Sequence, residues 1–199
     1  MQQGKMIIFT APSGAGKSTI VHHLLQAFPQ LEFSISATTR LRRPHEENGK
    51  DYYFVSKEEF RAWIADGAFV EWEEVYEDQF YGTLRREIER IWHEGKHIVF
   101  DIDVRGATHL KEAYPDQSLA VFVKPPSYEI LVERLIKRRT ENEQSLKKRL
   151  ERIKKELTYE TKFDVVLLND QLDIAFKEAE KIVADFIEVK AEDGNINHA

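Results

Sequence analysis

Apolar residues in this chain fall into short continuous runs, each followed by a segment of helical period. Residues 6–10, 97–101, 119–123 and 164–168 read as strands buried on both faces. Helical patterns cover 18–28, 84–93, 104–113, 127–138 and 172–189. Strand followed by helix, repeated this often, predicts a parallel sheet covered by helices on both sides. The interval 33–81 breaks the rhythm. Its segments 33–36, 52–55 and 69–75 are short, aromatic-rich and strand-like, and one helix begins among them at Ser56, where Ser-Lys-Glu-Glu supplies a cap hydroxyl and places Glu59 in the return position. This interval is expected to form an inserted mixed α+β subdomain. A polar, charged connection is expected at 139–144.

The strongest local signal follows the first strand and opens the first helix. Ala11-Pro12-Ser13-Gly14-Ala15-Gly16-Lys17-Ser18 matches the phosphate loop G-x-x-x-x-G-K-[ST] except for Ala at its first position. Glycines let successive backbone N–H groups turn inward around an anion, and the helix N-terminus adds partial positive charge. Lys17 can reach the β- and γ-phosphates of a nucleotide, and Ser18 can place a hydroxyl on Mg²⁺. Ala11 costs little provided that its φ stays negative. At the carboxyl end of another strand stand Asp101 and Asp103, where ligands of open α/β sheets collect. Asp101 is a candidate to hold Mg²⁺ through water.

Composition narrows the class. Lys plus Arg total 29 against 35 Asp plus Glu, a net charge of -6, which argues against a uniformly basic, nucleic-acid-binding surface. There is no cysteine, so thiol nucleophiles, disulfides and Cys-ligated metals are excluded. The apolar stretch near the N-terminus is four residues, too short for a signal core or membrane span, and a soluble, cytoplasmic protein is expected. The charge is uneven. Residues 134–155 carry ten Lys or Arg against three acids, a local balance of +7 within a body of -13. Arg40, Arg42 and Arg43 form a second basic cluster.

These motifs, in this order, resemble the guanylate kinase type of nucleoside monophosphate kinase. The resemblance spans about residues 6–189. It rests on the loop at 11–18, Ser34-Ile35-Ser36-Ala37-Thr38-Thr39-Arg40 with Arg43-Pro44, and Asn48-Gly49-Lys50-Asp51-Tyr52-Tyr53-Phe54-Val55. Phe69-Val70-Glu71-Trp72, Tyr81-Gly82-Thr83, Asp101-Ile102-Asp103, Pro125-Pro126-Ser127, the 138–149 segment and Asn169-Asp170 complete it. It implies an α/β fold: a phosphate-loop NTPase-type parallel sheet flanked by helices, with an inserted mixed α+β nucleoside-monophosphate-binding subdomain and a helical lid. The implied division is a core at about 5–32, 84–125 and 156–190, a GMP-binding subdomain at 33–83, a lid at 126–155 and a disordered tail at 191–199.

The implied activity transfers the γ-phosphoryl of ATP to GMP, and to dGMP, with Mg²⁺. ATP and phosphate would be held by Ala11, Pro12, Ser13, Gly14, Ala15, Gly16, Lys17, Ser18, Thr19, Arg134, Arg138 and Asn169. GMP would be held by Ser36, Arg40, Arg43, Tyr52, Glu71, Tyr81, Thr83, Asp101, Asp103 and Arg149. Arg40 and Arg43 offer forked donors to a dianionic phosphate. Glu71 would accept guanine N1–H and N2–H, while Ser36 and Thr83 donate towards O6. Adenine lacks that N1–H and leaves the carboxylate mispaired. Lys17, Arg43, Arg138 and Arg149 would be the catalytic cations, and no general base is needed for an anionic acceptor. Arg105 and Arg139 depart from the family pattern without removing a proposed chemical role. Two other readings share these residues: a non-catalytic scaffold module binding phosphopeptides, and a kinase of another monophosphate. Lys17, Ser18 and the lid arginines speak against the first, and the second, which extends to a kinase of a phosphorylated sugar, is decided by comparing GMP, dGMP, AMP, UMP and TMP as acceptors.

Overall fold

The structure, a computed structural model, describes residues 4–137 and 143–188. Its main sheet contains β1 (Met6–Thr10), β2 (Leu31–Phe33), β7 (His97–Ile102), β8 (Ser118–Lys124) and β9 (Val165–Leu168), in the order β2-β7-β1-β8-β9 and parallel throughout. Seven helices accompany the strands among the described residues: α1 (Lys17–Ala27), α2 (Lys57–Ala65), α3 (Arg85–His93), α4 (Val104–Ala113), α5 (Tyr128–Lys137), α6 (Glu143–Leu157) and α7 (Leu172–Glu188).

Burial on both faces, between which alternate strand residues point, explains why β1 is apolar from Met6 to Phe9. Ile7 and Phe9 face a core with Ile20, Val21 and Leu24 of α1 and Ala175, Ala179 and Val183 of α7. Met6 and Ile8 face the opposite core with Ile88 and Ile91 of α3 and Ala107 and Leu110 of α4. All four strand side chains are fully buried. Removing the buried methylenes of one such residue, as in Ile8→Ala, costs about 2–5 kcal/mol.

A second sheet is mixed and smaller: β3 (Ala37–Thr38), β4 (Tyr53–Phe54), β5 (Phe69–Tyr76) and β6 (Gln79–Leu84), ordered β4-β3-β6-β5. It packs its own apolar cluster, Ala37, Phe60, Phe69 and Leu84, against α2. The Ser56 hydroxyl caps α2 by accepting the Glu59 N–H at 3.0 Å, as its sequence predicts.

Three details differ from the expectation. Of the strand expected at 33–36 only Phe33 is one: it ends β2 in the main sheet, paired with Val99, residues 34–36 belong to no strand, and β3 of the small sheet starts at Ala37. β6 has no counterpart in the predicted pattern, because Gly82 interrupts its apolar run; a Cβ added at Gly82 would stand 2.7 Å from the Phe69 ring and collide with it. Of the connection expected at 139–144, Glu143 and Gln144 belong to α6. The rest of that connection, Arg138 and the tail at 191–199 lie outside the described residues. No described helix is long and apolar enough to cross a membrane.

Candidate active site

The phosphate loop turns out of β1 and into α1 as its composition requires. Gly14 and Gly16 take φ of 92° and 93°, left-handed values that a side chain disfavours. Ala11 is not among the positive-φ residues, so alanine is accommodated at the position where the motif has glycine. The Ala15 N–H donates to Pro12 O, and Thr19 and Ile20 donate to Gly16 O, which closes the first helical turn. Asn169, buried at the end of β9, donates its amide to Ala15 O at 2.7 Å. A Cβ on Gly16 would collide with that same amide. Asn169 therefore supports the loop from behind.

At the loop's end, Lys17 forms an ion pair with Asp101, and the Ser18 hydroxyl donates to Asp101 Oδ2 at 2.5 Å. Burial lowers the Lys17 ammonium to about 8, against the upward pull of Asp103 and Glu156. Asp103 caps α4, its Oδ1 accepting the N–H groups of Arg105 and Gly106. A hydroxyl and a carboxylate oxygen meeting beside a phosphate loop are the hard-oxygen donor set that Mg²⁺ takes. Among the described residues no cluster of three or more acids, histidines or cysteines is arranged as a metal cage.

Facing the loop, the β5–β6 register places Glu71 opposite Thr83. The Thr83 hydroxyl donates to Glu71 Oε1 at 2.6 Å. Glu71 is only 7% exposed, and burial pushes its carboxyl up to about 7, with Asp103 and Glu73 adding to the rise and Thr83 opposing it. Gly106 makes this approach possible, since a Cβ there would stand 2.9 Å from Glu71 Oε2. One cleft is lined by residues 11–19 and by Ser36, Tyr52, Glu71, Tyr81, Asp101 and Asp103. A phosphate cradle and the buried Glu71 carboxylate, held from behind by Thr83, thus share one cavity.

Comparison with known proteins agrees with this geometry. The family model described as guanylate kinase matches residues 3–186. The chain belongs to the guanylate kinase family. It is accordingly a nucleotide-binding kinase, an ATP:GMP phosphotransferase. A guanylate kinase of Porphyromonas gingivalis is 48% identical over 184 residues, covering 92% of this chain and 98% of the relative. One from Salinibacter ruber is 47% identical over 187 residues, covering 94% and 99%. The crystal structure of guanylate kinase from Anaplasma phagocytophilum superposes with a TM-score of 0.76 at 28% identity, covering 94% of this chain and 88% of that one.

The remaining predicted residues are distributed around the cleft. Arg40 lies over the Tyr52 ring at 5.1 Å, and Arg43 is exposed on the same loop. Arg134 is half-buried on α5 and does not line the cleft, and Asn169 reaches it only through the loop. Arg149 turns its Nε to the Tyr76 hydroxyl at 3.3 Å. Arg152, one turn further on along α6, lines the cleft. It donates from Nε to Glu156 Oε1 at 2.6 Å and from Nη1 to Val75 O at 2.5 Å, and lies 3.7 Å from Asp103. Burial works against the Arg152 charge, and Glu156 and Asp103 more than offset it, so its pKa is raised. Burial also raises the Glu156 carboxyl. Sequence reasoning missed Arg152, Glu156 and Glu46. The signal for the first pair is their i,i+4 spacing on the face of α6 that also carries Ile153 into the core.

Proposed function

We propose that this chain transfers the γ-phosphoryl of ATP to GMP, and to dGMP, in a Mg²⁺-dependent reaction in the cytoplasm. The observation that carries the reading is the buried Glu71 carboxylate, held by Thr83, in the same cleft as Lys17. The Glu71 carboxylate offers guanine N1–H and N2–H an acceptor pair, and Thr83, whose one O–H is donated to Glu71, would turn it towards O6 when the base binds. Ser36 lines the same wall and supplies a second hydroxyl.

The residues divide the work by charge. Inward N–H groups from Ser13 to Ser18 cradle the donor phosphates, with the α1 N-terminus behind them. Lys17 exchanges its contact with Asp101 for the β- and γ-oxygens. Ser18 and Asp101 would hold Mg²⁺, which supplies charge neutralisation between those oxygens. Arg40, Arg43, Tyr52 and Tyr81 hold the acceptor phosphate in line, and Asp103 completes the GMP side. Arg134, Arg138 and Arg149 come from a lid at 126–155, which closes over a core at 5–32, 84–125 and 156–190. Residues 33–83 bring the acceptor. Positive charge arriving around the transferring group stabilises its equatorial oxygens, and closure removes water as a competing acceptor. No side chain needs to take a proton, because the nucleophile is already a phosphate oxygen.

An acceptor panel tests this. With ATP and Mg²⁺, GMP and dGMP should turn over, while AMP, UMP and TMP should be at least about 10⁴-fold poorer in kcat/KM. Comparable use of AMP would overturn the assignment of Glu71.

A further inference from the structure

Glu46 lies on the loop between β3 and β4 and is 6% exposed, in the midst of three arginines. Arg40 donates to it through both arms of its fork, Nη1 to Oε2 at 2.7 Å and Nη2 to Oε1 at 2.6 Å. The Arg43 backbone N–H donates to Oε2 at 2.8 Å, and the Arg43 guanidinium stands 3.7 Å from Oε1. Arg42 closes the loop by donating to Glu46 O at 2.8 Å.

An acid placed inside a cluster meant for a dianion weakens the local positive potential, so its presence needs a compensating gain. We propose that Glu46 is a positioning residue for the acceptor phosphate: it takes up one edge of Arg40, orders Arg43 beside it, and leaves a defined set of donors for GMP. Nη1 is further committed to Leu41 O at 2.9 Å, so the donors Arg40 retains are Nε–H and one Nη2–H. Those two lie on the adjacent edge of the planar group, the geometry that grips two phosphate oxygens at once. The Tyr52 and Phe54 rings, 5.1 and 5.4 Å from the guanidinium carbon, fix its plane. Three arginines and Glu46 sum to +2, which matches a phosphate dianion without a surplus that would hold product. The Arg40 hydrogen bonds hold the Glu46 carboxyl down to about 2, so this charge balance persists at all working pH values.

The inference rests on the GMP reading above and deepens it. Glu46→Gln keeps size and shape but removes the charge that orders both arginines. Its KM for GMP should rise about 10- to 100-fold, with KM for ATP nearly unchanged. Guanosine, which has the base but no phosphate, should bind variant and wild type alike in calorimetry, so the GMP-to-guanosine affinity ratio collapses. Glu46→Asp, which retains the charge one methylene shorter, should recover part of that ratio, and it carries the test if Glu46→Gln does not fold. An unchanged GMP affinity in Glu46→Gln overturns the proposal, and so does an equal loss for GMP and guanosine, which marks a general structural role. Binding is read without turnover, so a failure of the kinase reading shows separately, as absent GDP formation by the wild type.

Discussion

Glu71→Gln should make the enzyme more stable at alkaline pH while removing its choice of base. A carboxyl moved from 4.5 to about 7 by burial binds its proton more tightly folded than unfolded. Stability is therefore complete below about pH 4.5 and is lost as pH rises through 7, because the folded state must then hold the charge. Between pH 5 and pH 8 the penalty grows by about 2–3 kcal/mol. Glutamine does not titrate, so the stability of the variant relative to wild type should increase by that amount over the same interval. For a chain of this size that is a relative gain in Tm of about 5–10 °C. Any constant offset from the amide's own hydrogen bonding cancels in the comparison, and only its pH dependence is read. Thermal melts of both proteins at pH 5, 6, 7 and 8 are the assay. A stability difference that stays flat with pH would refute the claim that Glu71 is held charged at a cost in the base site. The same cost reappears in binding: guanosine, which has no phosphate to titrate, should bind wild type about tenfold more weakly at pH 6 than at pH 8, and the variant should lose this slope.

Four other changes probe the phosphate side. Lys17→Ala removes the ammonium that neutralises the transferring group and should lower kcat about 100- to 1,000-fold, read in a coupled ADP-release assay. Asn169→Ala deletes the 2.7 Å support of Ala15 O and should cost about 1–3 kcal/mol in denaturant unfolding, with a higher KM for ATP. Gly16→Ala combines a φ of 93° with a collision against that same amide, so ATP binding measured by calorimetry should be lost. Arg138→Ala should reduce kcat with little change in either KM, and a wild-type kcat would show that this arginine does not act on the transferring phosphoryl group.

The central strands β1, β7 and β8 are legible in the sequence because their apolar residues are buried on both faces, so Met6, Ile7, Ile8 and Phe9 form an unbroken apolar run. The loop is legible because its chemistry is local: glycines at positive φ, then Lys17 and Ser18 in the first helical turn. Local pattern is silent where pairing partners are distant. Phe33 joins the main sheet only because Val99 lies beside it, and β6 exists because β5 turns back at Asp78, held at a φ of 61°. Arg40 and Glu71 could be assigned from motif position, whereas Glu46, within His-Glu-Glu-Asn, reads as one solvated acid among many. Its burial between arginines is a property of the folded loop. Arg152 and Glu156 read likewise as an exposed i,i+4 pair, until β5 is brought against α6 and Val75 O meets the guanidinium.

The central claim is direct phosphoryl transfer from ATP to GMP in the cleft shared by Lys17 and Glu71. Incubation with γ-labelled ATP, GMP and Mg²⁺, followed by separation of the nucleotides, tests it in one step. The label should appear in the β-phosphate of GDP in proportion to the ADP released, and its rate of appearance should fall about 100- to 1,000-fold with Lys17→Ala. Label released as free phosphate, or ADP formation indifferent to GMP, would contradict the account.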